Sequence, residues 1–70
     1  MAKENIEKKI LEYLESIPFS ATTEMVAKAV KVNWYTAQMH LYNLERKGLV
    51  KYFKIGRQNQ WILTNKLKSQ

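Results

Sequence analysis

Tyr35, Gln38, Met39 and Tyr42 recur at three- and four-residue intervals in the middle of the chain. Such intervals bring side chains onto one face of a helix. Two phenols, an amide and a polarisable thioether, with Arg46 as the one nearby charge, suit specific contact better than exposure to water. Asn33, Trp34 and Asn43 flank the set. The amides of Asn33, Gln38 and Asn43 match the donor and acceptor on adenine, the tyrosine hydroxyls reach phosphates or bases, and Met39 packs on a thymine methyl. The pattern predicts an outward face, made by Asn33, Trp34, Tyr35, Gln38, Met39 and Tyr42, that a partner should cover and whose side chains suit base edges. For Trp34 a second reading stands beside this one, since it points nearer the buried stripe and equally suits the gap between two helices.

The charges fall where such a surface needs them. The net charge is +6, and residues 46–70 carry seven basic side chains and no acidic one, whereas residues 1–45 carry nearly equal numbers of each sign. A solvated surface normally mixes both signs, so the asymmetry points to a polyanion; a soluble basic tail is the plainer alternative. Lys31, Asn43, Arg46, Lys47, Lys51, Lys54, Arg57 and Gln58 are the expected contacts to the backbone or the minor groove. Arg57 sits near the tip of a Gly56–Gln60 connection, where an arginine can enter a minor groove or hold a phosphate. Lysines 3, 8, 9, 28, 66 and 68 read as solubility charges, with Lys28 also within reach of a backbone.

Other chemistries find little support. There is no cysteine and one histidine, so neither a thiolate zinc site nor a disulfide framework can form. His40 lies beside the buried stripe and reads as a packing residue, and no nucleophile and base stand at a catalytic spacing. No catalytic residue, cofactor or metal is expected, and the chain is not read as an enzyme. No run of 18 apolar residues is present, and the N-terminus mixes acids with its lysines, so a cytoplasmic, nucleoid-associated protein is expected.

The elements that must position these side chains follow from periodicity and capping. From Lys3 to Ser16, Ile6, Ile10, Leu11, Tyr13, Leu14 and Ile17 form one apolar stripe, and Pro18 ends the helix. Thr22 caps a short second helix with Met25, Val26, Ala27, Ala29 and Val30 as its apolar residues. Asn33 caps a third helix over 34–47, which Gly48 closes, with Ala37, Leu41, Leu44 and Gly48 along its buried stripe. Two β-branched and aromatic runs then flank a Gly-bearing connection, which predicts an antiparallel hairpin over 50–64. If Val50, Tyr52, Trp61 and Leu63 face the core, Phe53, Ile55 and Ile62 face outward as an apolar patch suited to self-association, so a homodimer through these three is expected. The expected architecture is mainly α with a small β-hairpin, three helices and a two-stranded wing, in one domain over 1–64 with a frayed tail over 65–70.

This order of elements resembles the winged helix-turn-helix family, and so do particular residues between about 6 and 64. Thr36-Ala37, His40-Leu41 and Leu44 look like the family's anchors of the recognition helix. Lys47-Gly48-Leu49-Val50 is similar to its lead into the first wing strand, and Trp61-Ile62-Leu63-Thr64 to the end of the second. The resemblance implies a transcription regulator of bacterial or archaeal type that places the recognition helix in the major groove of double-stranded DNA. Many relatives have glycine in the turn where this chain has Lys31, which implies about 1 kcal/mol of strain if that residue is left-handed. Two alternatives accompany this expectation: a protein-interaction winged-helix subunit of a larger assembly, and an architectural protein that coats DNA without sequence preference.

Overall fold

Each helix begins on the cap that its sequence offers. In the computed structural model, which describes residues 5–68 and the side chains of 5–66, Asn5 opens α1 (Ile6–Ser16) by accepting the Lys8 N–H at 3.1 Å. The expected start at Lys3 lies outside the described residues. Ile10 and Leu14 of α1 are fully buried, and the helix stops at Ile17, whose extended backbone is the conformation a following proline demands. Thr22 caps α2 (Thr23–Val30) through the Met25 N–H at 3.1 Å. Asn33 caps α3 (Trp34–Arg46) through the Thr36 N–H at 2.8 Å.

α2 and α3 end in the same hydrogen-bonded way. The Val32 N–H reaches back to the Ala27 carbonyl and the Leu49 N–H to the Leu44 carbonyl, each at 3.0 Å. This Schellman closure needs a left-handed residue in between. After α3 that residue is Gly48, with φ 81°, and after α2 it is Lys31, with φ 62°. Lys31 thus adopts the strained conformation that its place in the sequence suggested. Gly48 is exposed, not part of the buried stripe, because the chain turns outward there.

The sheet differs from expectation in two respects. It has three strands, since β1 (Ala21–Thr22) pairs antiparallel with β3 (Gln58–Leu63), which pairs in turn with β2 (Val50–Ile55), giving the order β1-β3-β2. A two-residue strand has no alternation to read in the sequence, and Ala21 finds its place opposite Trp61 only in the folded chain. The hairpin turn is Gly56-Arg57 alone, with Ile55 opposite Gln58, so Gln58, Asn59 and Gln60 belong to the strand. Gly56, with φ 63°, takes the first central position, where two-residue turns of the II′ kind want glycine. After the sheet, Thr64, assigned from sequence to the hairpin, opens α4 (Thr64–Lys68), which takes in the first four residues of the 65–70 segment read as a frayed tail. Lys66 Nζ donates to the carbonyls of Leu14 and Ile17, fastening this helix to the open end of α1.

The core lies where the three long helices meet the inner face of the sheet. Ile10, Leu14, Val26, Leu41 and Leu44 close around Val50 and Trp61, all at or below 1% exposure. Trp61 is the largest fully buried side chain, and it joins the wing to the helices.

Candidate nucleic-acid interface

α3 has two faces. Ala37, Leu41 and Leu44 are buried, whereas Tyr35, at 80% exposure, Met39, Tyr42 and Arg46 face outward, with Gln38 and Asn43 half-buried beside them. Trp34, partly exposed, meets the Tyr35 ring edge-on at 5.5 Å between centroids, so at the start of α3 the two aromatics support each other.

Further along α3 the outward face merges with the wing. The Tyr42 ring stands edge-on to Trp61 at 5.4 Å and to Tyr52 at 6.1 Å, and Tyr52 lies against Trp61 at 5.0 Å. Tyr52 and Trp61 are also cross-strand partners. The three rings make one continuous wall between helix and hairpin.

A chain of hydrogen bonds runs beneath that wall. The Trp61 indole N–H donates to Thr23 Oγ1 at 2.9 Å, Thr23 Oγ1 donates to Gln38 Oε1 at 2.9 Å, and Gln38 Nε2 donates to the Tyr42 hydroxyl at 3.2 Å. Thr23, at 4% exposure, is the one buried polar residue in the described chain. Sequence reasoning missed Thr23, Trp61 and Tyr52 as parts of the site. Thr23 looks there like any first-turn threonine, and its partners lie 15 and 38 residues away.

The basic residues of the wing and the turns divide into three groups. Strand alternation puts Lys54 on the α3 side of the hairpin with Tyr52, and Arg57 is exposed at the turn beside Gln58, which opens β3. Lys51 falls on the other side with Phe53, Ile55 and Ile62, so the fold separates it from α3. Phe53 and Ile55 are exposed there and Ile62 is half-buried. Lys31 is exposed at the turn before α3.

Lys47 has a partner within the chain. Its Nζ lies 2.9 Å from Glu7 Oε1, and the other Glu7 oxygen is 3.0 Å from His40 Nδ1. His40, read from sequence as a packing residue, thus joins α3 to α1 through a polar contact, because its ring at the edge of the stripe meets a carboxylate, not a methyl group. The hydrogen bonds from His40 and then Lys47 hold the Glu7 carboxyl below its ordinary value, against a smaller opposing effect of burial. Asn43 and Arg46 line a shallow cleft with this pair.

Among the described residues no group of three histidine, cysteine or acidic side chains is placed to hold a metal ion, and no helix is long and apolar enough to cross a membrane.

Solved structures share this fold. The Zalpha domain of PKZ from Carassius auratus, crystallised with Z-DNA, is 28% identical and superposes with a TM-score of 0.75 over 83% of this chain and 90% of that one. The homodimeric winged helix-turn-helix DNA-binding domain of a possible ArsR-family transcriptional regulator from Mycobacterium bovis is 23% identical, with a TM-score of 0.81 over 94% of this chain and 59% of that one. MepR, a transcription regulator of the multidrug efflux pump MepA in Staphylococcus aureus, is 24% identical, with a TM-score of 0.76 over 93% and 55%. The chain therefore spans somewhat over half of each of these two solved chains, the first of them a fragment of 100 residues, and together they establish the winged helix-turn-helix fold. No curated protein sequence matches the chain. The family model described as FaeA-like protein matches residues 6–64, nearly the whole described chain, and the protein belongs to that family.

Proposed function

We propose that the protein binds double-stranded DNA as a transcriptional regulator, with α3 in the major groove and the β2–β3 wing on the backbone or in the minor groove. One observation carries this reading: Tyr42 on the outward face of α3 packs edge-on against Tyr52, both rings resting on the buried Trp61, and so joins that face to a hairpin bearing Lys54 and Arg57. A helix face of aromatic, amide and thioether groups beside unopposed cations is complementary to bases flanked by phosphates. The fold supports it, since DNA-binding proteins are prominent among the structural relatives.

Titration of a random-sequence duplex at several salt concentrations tests this. Neutralising about 4 to 6 phosphates gives a slope near −4 to −5 in log affinity against log salt. Arg57→Ala weakens all duplexes alike, whereas Tyr35→Ala and Met39→Ala lower the preference for a selected sequence over a random one. A slope near zero, or four alanine variants at 35, 39, 42 and 57 that bind as the parent does, refutes the assignment.

The likeness to a domain solved on Z-DNA, at 28% identity over most of both chains, favours a second reading in which the duplex is left-handed. An alternating C·G duplex held in the left-handed form by cytosine methylation, compared with its right-handed unmethylated counterpart, separates the two. On the opposite side of the hairpin, Phe53, Ile55 and Ile62 suit a homodimer contact, for which Phe53→Ser in sedimentation is the test: a dimer that persists in the variant removes this patch from the interface.

A further inference from the structure

The direction of each hydrogen bond beneath the aromatic wall follows from which atoms can only donate. An indole N–H has no acceptor capacity, so Thr23 Oγ1 accepts from Trp61 and has one proton left to give. That proton goes to Gln38 Oε1. Turning the Gln38 amide over would leave the Thr23 proton without its acceptor in a site 4% exposed. The buried threonine therefore fixes which end of the Gln38 amide faces inward. Its nitrogen, a donor only, meets the Tyr42 hydroxyl, whose oxygen accepts and whose own proton is left to donate outward.

The same holds at the start of α3, where the Asn33 side-chain oxygen is taken by the Thr36 N–H and its amide nitrogen is left over. Asn33, Gln38 and Tyr42, residues able in principle to donate and accept, each have their oxygen engaged within the protein. A two-point contact of Gln38 with adenine needs the amide oxygen and nitrogen to face the base together, and here the oxygen faces Thr23.

The geometry points to Thr23 as a positioning residue that makes this face an array of hydrogen-bond donors, built to take acceptor atoms on the nucleic acid. Phosphate oxygens supply such atoms, and among the base edges of the major groove guanine alone sets two acceptors, N7 and O6, side by side with no donor or methyl group beside them. The inference rests on the DNA-binding reading above and adds the chemistry that the site selects.

Three duplexes of one sequence decide it: unmodified, with 7-deazaguanine for guanine, and with neutral methylphosphonates across the contacted stretch. Each is titrated with the parent protein, Thr23→Val, Thr23→Ser and Tyr42→Phe. Thr23→Val and Tyr42→Phe bind the unmodified duplex about three- to tenfold more weakly than the parent, and Thr23→Ser restores affinity. The loss shrinks on 7-deazaguanine DNA, which lacks N7, if guanine is the acceptor, and on methylphosphonate DNA, which keeps one weaker acceptor oxygen at each phosphorus, if phosphate is. Tyr42→Phe leaves the buried hydrogen bonds in place, so it decides the matter alone if Thr23→Val does not fold. Equal affinity of the parent and Tyr42→Phe for the unmodified duplex, or a loss of the same size on all three, overturns the inference while leaving DNA binding intact. A parent protein that binds none of the duplexes overturns both.

Discussion

α3 is held from two sides by polar links of opposite character. Toward α1, the Glu7 carboxylate gathers His40 and Lys47 in a charged contact partly open to water. Toward α2 and β3, Thr23 joins Trp61 to Gln38 through neutral hydrogen bonds beneath a wall of aromatic rings. A charged link near water is screened and depends on pH, and its geometry is loose. A neutral link away from water is directional, and leaving it incomplete costs more than forming it gains. The first link therefore adjusts charge and stability, whereas the second fixes how the side chains of the outward face present their protons.

The largest test of this contrast removes the aromatic anchor of the neutral side. Trp61→Ala leaves a large void and an unpaired Thr23, and is expected to cost about 3–5 kcal/mol. A 70-residue domain has about that much stability in all, so the variant should be largely unfolded at 25 °C by far-ultraviolet circular dichroism. A cooperative transition near the parent's midpoint would show that the wing is not joined to the helices through this residue.

Thr23→Val comes next, because it keeps the shape and removes both hydrogen bonds. The indole N–H and the Gln38 oxygen then lose their partner, at an expected cost of about 1–3 kcal/mol in urea denaturation. No titrating group takes part, so the cost should be the same at pH 5 and pH 8. A cost that varied across this range would mean that the neutral link is coupled to the charged one, and the contrast would fail.

A change of opposite sign lies between the two links, at the turn that sets the angle between α2 and α3. Both helices close with the same hydrogen bond, one around Gly48 and the other around Lys31 at φ 62°. Lys31→Gly removes the left-handed strain of a side chain and should stabilise the protein by about 1 kcal/mol, less the greater freedom of glycine in the unfolded chain. A raised denaturation midpoint with an unchanged slope is the expected result. A variant less stable than the parent would show that Lys31 makes up its strain through contacts of its own.

What the sequence discloses divides along the same line. The caps at Thr22 and Asn33, the stop before Pro18, the two faces of α3 and the hairpin could all be read, because each depends on residues within one or two turns of each other. The left-handed turn at Lys31 was raised as a condition by the family resemblance alone, since the glycine of many relatives is missing there, and only the fold shows that φ is positive. Neither link to α3 was legible. Glu7 and Lys47 are 40 residues apart and Trp61 and Thr23 are 38 apart, and local periodicity carries no sign of such pairings. The strand at Ala21 and the fastening of Lys66 to α1 escaped notice likewise, since each is complete only when distant segments meet. The outward side chains of α3 were thus identified by position, and the roles of their amide oxygens became clear only with the fold.

The smallest effect belongs to the charged link, and it separates the two sides most sharply. Hydrogen bonds from His40 and Lys47 keep the Glu7 carboxyl below its ordinary 4.5. A carboxyl whose folded value is depressed stabilises the protein above the unfolded value and ceases to do so as pH falls through the folded one. With Lys47 well exposed, the contribution at pH 7 should be below about 1 kcal/mol. Glu7→Gln is therefore expected to be slightly less stable than the parent at neutral pH, and the two stabilities should converge as pH falls below 4.5. The same substitution frees Lys47 from its internal anion at the wing-side end of α3. If α3 lies on DNA as proposed, Lys47 can then engage a phosphate, steepening the salt dependence of duplex binding by about 0.9 in slope. A variant with the parent's slope but lower stability would confine Glu7 to holding the helices together; the steeper slope would make it an internal competitor of the phosphate backbone.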